Sequence, residues 1–170
     1  MGMTEQVLLA MIEYDRGDAR RINHFLKVYG FARAIGTGEK LDAATQETIE
    51  IAALTHDIGI HNSEKKYGSA AGNYQQIEGP PEAETLLRGL GVAEKTISRV
   101  CWLIAHHHTY GNICDMDHQI LVEADFLVNA YEDALSAGAI RAFEHKVFQT
   151  QTGKALLQSV YGGAAKNRVQ

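Results

Sequence analysis

Apolar residues recur along this chain at intervals of three and four, and no segment alternates convincingly with period two, so the pattern predicts helices throughout. Thr4 can cap a first helix running to about Tyr14, ended by Arg16-Gly17. Asp18 can cap a second to about Ile35, stopped by Gly36-Thr37-Gly38, and Asp42 a third ending near Ile58-Gly59. Residues 60–78 are polar and glycine-rich with no sustained period, and read as a long ordered loop of the kind that often carries function. Pro80 or Pro81 suits the first turn of a helix reaching Leu90. Residues 93–107 form a fifth helix, and a loop follows over 109–115. Asp117 can cap a sixth helix through Ala134, and segments 139–148 and 152–161 complete the chain. The expectation is an all-α fold, one domain over residues 1–170.

Composition narrows this picture. The 170 residues suit one domain, and 45% hydrophobic with 22% charged residues is near the globular average. The two prolines are adjacent, so nothing interrupts the rest of the chain. Sixteen basic and 21 acidic side chains give a net charge of −5 with no cationic block, which argues against a nucleic-acid polymer as partner. Clean apolar runs, such as residues 100–105, reach only six residues, far below the ~20 of a membrane span. The first residues are acidic and lack an apolar signal region. Cys101 and Cys114 have no C-x-x-C spacing, which suits a reducing compartment. A cytoplasmic protein without membrane contact is expected.

Polar residues fall where apolar ones belong. His24 shares a face with Val28, Phe31 and Ile35, and His56 with Ile49, Ala52 and Ala53, with Asp57 beside it. On the sixth helix Asp125 interrupts the stripe of Leu121, Ala124 and Val128. A single core-facing histidine is more often hydrogen-bonded than a ligand. A carboxylate on an apolar stripe, however, must be neutralised, paired or bound to a cation. Together these four residues offer two imidazoles and two carboxylates, a donor set suited to Mn²⁺, Fe²⁺, Zn²⁺ or Mg²⁺.

The stretch Ala52-Ala53-Leu54-Thr55-His56-Asp57-Ile58-Gly59 resembles the signature of the HD-domain metal-dependent phosphohydrolases. That pattern has a His on an early helix, a His-Asp pair ending the next and a late Asp on a further helix; His24, His56-Asp57 and Asp125 match it, over roughly residues 20–130. The resemblance implies a helical bundle holding one or two divalent ions, and hydrolysis of phosphate esters, often of nucleotides. Related binuclear members carry a further His before the helix near Pro80, where this chain offers at most Glu78, and a His-His pair that His106-His107-His108 supplies in excess. Ile60 stands where a cyclic-dinucleotide branch has lysine, and no Gly-Tyr-Pro follows Tyr110, which argues against that activity. The leading expectation is one ion, with a second left open.

Helical spacing turns His107 and His108 inward and His106 outward, so the first two are candidates for acid/base or charge stabilisation, with His61 a weaker one. Asp57 can orient a water as well as bind metal. Lys65, Lys66, Tyr67 and Tyr74 are candidate contacts for a phosphorylated, partly planar substrate, on a 60–78 loop expected to close as a lid. Cys114-x-x-x-His118 is a weak structural-zinc alternative, Cys101 reads as a packed hydrophobe, and Glu132-Asp133 reads as solvated charge. The expected function is a phosphohydrolase for a small phosphorylated metabolite or nucleotide. The alternatives are a di-iron HD-fold oxygenase and a non-catalytic metal- or nucleotide-binding regulator, and a homodimer is left open.

Overall fold

The computed structural model describes residues 1–113 and 115–162, so the suggested zinc ligand Cys114 lies outside the described residues. Among the described residues there are nine helices and no strand: α1 (Met3–Tyr14), α2 (Ala19–Gly38), α3 (Ala43–Thr55), α4 (Ile60–Tyr67), α5 (Gly72–Gly89), α6 (Glu94–His106), α7 (Met116–Glu132), α8 (Ala137–Val147) and α9 (Gln151–Tyr161). Caps at Asp18 and Asp42 start α2 and α3 by accepting backbone N–H groups, as short polar side chains do at helix starts. No helix among the described residues is long and apolar enough to cross a membrane.

Two helices are central. Every residue of α3 from Ile49 to Thr55 is buried, and α7 is buried continuously from Asp117 to Val128. A helix covered on all sides is enclosed by its neighbours. Here α3 packs against α1, α2, α6 and α7, while α7 packs against α2, α3 and α9. The core between them includes Val28, Ile35, Ile49, Leu54, Ile104 and Leu121, all at 1% exposure or less. Buried Glu123 pins the last helix to α7: its Oε1 accepts from the Gln149 and Thr150 N–H groups at 2.7 and 3.0 Å, and its Oε2 from the Thr150 hydroxyl.

The 60–78 segment corrects the expected loop. It forms α4, a corner at residues 68–71 and the first turns of α5. Gly68 closes α4 in the left-handed region at φ 64°, a conformation glycine adopts without strain. The α4 sequence shows no apolar period because only Ser63 is buried on it. Pro80 and Pro81 lie inside α5 rather than at its start, leaving the carbonyls of Gln76 and Ile77 without their usual intrahelical donors.

Gly59, which leaves α3, meets Gly79 of α5 so closely that a Cβ at 59 would lie 2.5 Å from the Gly79 nitrogen and 2.8 Å from its Cα. Both obstacles are backbone, so Gly59→Ala must push α5 away from the end of α3. We expect a stability loss of about 1–3 kcal/mol, typical of overpacking, read as a lower urea midpoint. A parental midpoint would show that α5 can move away freely.

Candidate metal centre

Three helices deliver four side chains to one point. His24 projects from the middle of α2, His56 and Asp57 leave the C-terminal end of α3, and Asp125 lies mid-α7. His24 Nε2 stands 3.2 Å from His56 Nε2, 3.4 Å from Asp57 Oδ2 and 3.3 Å from Asp125 Oδ1. His56 Nε2 is 3.5 Å from the same two carboxylate oxygens. Two ring nitrogens facing each other at such a distance need a proton or a cation between them. His56 donates from Nδ1 to the Ala53 carbonyl at 2.8 Å, which leaves Nε2 directed at the cluster.

A second group adjoins the first. His107 and His108, at the end of α6, join Asp57 in a set whose donor atoms lie within 4.8 Å of one another. Asp57 divides its oxygens between the two groups: Oδ2 faces His24 and His56, and Oδ1 faces His107 Nε2 at 3.6 Å. His107 donates from Nδ1 to the Ile104 carbonyl at 2.7 Å, so its Nε2 also points inward. Gly72 makes room for His108, since a Cβ there would lie 2.5 Å from His108 Cδ2.

This donor set fits a divalent ion. Asp125 Oδ1, His107 Nε2 and His108 Nε2 are buried and make no hydrogen bond among the described residues. Buried polar atoms left so are rare; one borders the first group and two belong to the second, which indicates something these groups are arranged to bind. Imidazole nitrogen with carboxylate oxygen is a set common to Mn²⁺, Fe²⁺, Zn²⁺ and Mg²⁺.

Electrostatics agree with the geometry. Burial would push the His56 imidazole down, but Asp57 and Asp125 outweigh it and lift it to about 9. His24 is raised in the same way, against its own burial. Burial also opposes ionisation of Asp57 and Asp125, yet the neighbouring imidazoles hold both well below the usual carboxylate range. His108 goes the other way: burial, then neighbouring His107, pushes it down to about 4. A protonated His108 acting as acid, one of the roles expected from the sequence, therefore has no electrostatic support; a neutral imidazole with a free Nε2 does.

The remaining candidates lie elsewhere. His61 donates to Asp15 Oδ1 at 2.7 Å and abuts the Arg21 guanidinium, away from both groups. Lys66 and Tyr67 bind Glu78 at 2.5 and 2.9 Å, and Tyr67 stacks on Tyr74 at 4.2 Å between centroids. Glu78 is thus engaged outside both groups. Lys65 is exposed on α4. His106 stacks on Trp102, and His118 donates to the His106 carbonyl. Cys101 is half-buried against the Pro80 carbonyl.

A cleft of about 330 Å³ opens onto the centre, lined by His24 and Asp57 and farther out by Arg20, Arg21, Asn129 and Glu132. None of Lys65, Lys66, Tyr67 and Tyr74 lines it; Ala70 of the 68–71 corner does. Arg21 is committed to Asp18 and Glu64 at 3.1 and 2.8 Å, whereas Arg20 makes no ion pair among the described residues. Nothing in the sequence marks these cleft residues, because an arginine at a helix start and a charge at a helix end are ordinary surface features.

Comparison with known proteins converges on the same segment. Residues 21–137 match the family described as the HD domain, a span containing His24, His56, Asp57, His107, His108 and Asp125. Over 70 residues the chain is 44% identical to a deoxyguanosinetriphosphate triphosphohydrolase-like protein of Corynebacterium diphtheriae, an alignment covering 39% of this chain and 15% of that relative. The crystal structure of a predicted HD superfamily hydrolase from an uncultured Thermotogales bacterium superposes with a TM-score of 0.68 at 26% identity, over 95% of this chain and 87% of the other.

Proposed function

The chain belongs to the HD-domain family, and from that premise we propose that it is a metal-dependent phosphohydrolase acting on a small phosphorylated substrate. His24, His56, Asp57 and Asp125 are its ligands for a divalent ion. The observation that carries this reading is the convergence of buried ligand atoms on a centre that opens into a small cleft: Asp125 Oδ1 beside two imidazoles, and His107 Nε2 and His108 Nε2 without a hydrogen bond among the described residues. When bound, the ion supplies Lewis acidity toward a phosphoryl oxygen and lowers the pKa of a neighbouring water.

The chain's own residues do the rest. Asp57, with an oxygen toward each group, holds the two imidazole pairs in one register. His107 and His108 present their Nε2 atoms next to the reacting phosphoryl group, to stabilise charge or to hold a second ion. Arg20, at the rim and without an ion pair among the described residues, binds the substrate's phosphate, and the cleft volume suits a metabolite or nucleotide rather than a polymer. The partial likeness to a triphosphohydrolase-like protein makes deoxynucleotides the first substrates to try.

The test is metal analysis of protein purified without chelator, followed by a phosphoester panel with Mn²⁺, Fe²⁺, Zn²⁺ and Mg²⁺ added singly. Phosphate release that EDTA abolishes and one ion restores is expected. The His107–His108 group also suits a di-iron oxygenase, which would instead consume O₂ with iron and release no phosphate. Ion binding with no turnover on any substrate would identify a regulator.

A further inference from the structure

The imidazoles of the centre are not all oriented by the same means. His56 and His107 sit at helix ends, and each donates its Nδ1 proton to the carbonyl three residues back, Ala53 and Ile104 respectively. Their orientation is built into the helix that bears them. His24 lies in the interior of α2, where the preceding carbonyls accept helical N–H groups, so its Nδ1 needs a partner from another element. That partner is Glu132, the last residue of α7, whose Oε2 lies 2.9 Å from His24 Nδ1.

Glu132 is itself fixed. Lys27, three residues after His24 on α2, reaches its Oε1 at 2.5 Å. On α7, Asp125 and Glu132 are seven residues apart, two turns on one face, so one helix addresses both nitrogens of the same ring: Asp125 at Nε2 and Glu132 at Nδ1. The Glu132 side chain is 16% exposed and lines the cleft, unlike the solvated charge its place beside Asp133 suggests. A surface ion pair with Lys27 alone would not require Glu132 to turn its second oxygen inward.

We propose that Glu132 is a positioning residue for the metal centre. It accepts the His24 Nδ1 proton, fixing the tautomer that leaves the Nε2 lone pair facing His56, Asp57 and Asp125, and Lys27 holds it in place. The inference rests on the proposed metal centre. Partners of this kind, behind a ligating imidazole, commonly change metal affinity about 10–100-fold.

The experiment is calorimetric titration of chelator-stripped protein with Mn²⁺ alone, in the parent, Glu132→Ala, Glu132→Gln and Lys27→Met. Glu132→Ala is expected to weaken Mn²⁺ binding about 10–100-fold, and Glu132→Gln, whose amide oxygen still accepts from Nδ1, to stay near the parent. Lys27→Met should fall between them. Nitrogen-15 spectra of the Zn²⁺-loaded parent should show His24 protonated at Nδ1, and Glu132→Ala should lose that single tautomer. Should Glu132→Ala not fold, Glu132→Leu fills the same space and serves the comparison. Parental Mn²⁺ affinity with an unchanged His24 tautomer in the removal variant overturns the proposal while leaving the metal centre standing. A parent that binds no Mn²⁺ or Zn²⁺ overturns both.

Discussion

Asp57→Ala is expected to lose the bound ion and to lower turnover by about 10²–10³-fold, the scale on which removal of a charge-stabilising group acts. Asp57 places a carboxylate oxygen toward each group: Oδ2 faces His24 and His56, and Oδ1 faces His107. Alanine removes both oxygens, so every imidazole nitrogen around it loses its shared carboxylate. The helical fold should survive with reduced stability, because Asp57 lies past the end of α3 at the cleft with 24% of its side chain exposed. Metal content by elemental analysis, turnover and circular dichroism on one sample separate these effects. His107→Ala and His108→Ala divide the remaining readings. If either keeps the ion and loses turnover, the α6 histidines act on substrate. If both lose metal along with activity, they are ligands and the centre holds two ions. Retention of both ion and activity by Asp57→Ala would remove the centre from the mechanism.

What is legible in the sequence follows from the cost of burial. Asp125 stands out because an acid on an apolar stripe needs a partner, and the structure gives it two imidazoles within 3.5 Å. His24 and His56 are visible for the same reason, as polar interruptions of helical faces. Glu132 is invisible: its neighbour Asp133 is exposed, it ends its helix, and only the three-dimensional approach of α7 to α2 turns it inward. The α4–α5 corner escapes a reading by period because α4 buries so little that no apolar period forms, and because two adjacent prolines look like a helix start. That difference has a chemical consequence. Lys66 and Tyr67, expected as substrate contacts on a loop, instead bind Glu78 from α4, and only residues 68–71 of the segment lie outside a helix.

The stabilisation conferred by a divalent ion should grow steeply between pH 6.5 and 8.5. Without an ion, His56 is lifted to about 9, so it carries a proton near neutrality and pairs with Asp57 and Asp125, and His24 is shifted in the same direction. A group raised on folding stabilises fully below its unfolded value of about 6.5, and that contribution disappears as pH rises through its folded value. The two depressed carboxylates stabilise above about 4 and lose their contribution only as pH falls through their folded values. The ion-free pairing is therefore intact between about pH 4 and 6.5 and fades toward 9. Ion binding has the opposite dependence, because ligating imidazoles must be deprotonated. Each proton displaced makes affinity change about tenfold per pH unit, so one proton gives about 100-fold from pH 6.5 to 8.5, or ~2.7 kcal/mol. At fixed free ion above Kd this adds directly to stability. For a chain of this size it corresponds to a rise of about 5–11 °C in the ion-dependent part of Tm. Scanning calorimetry of EDTA-treated and Mn²⁺-replete protein across that range measures the increment. An increment that stays flat with pH would mean that binding displaces no proton, and would exclude His24 and His56 as ligands.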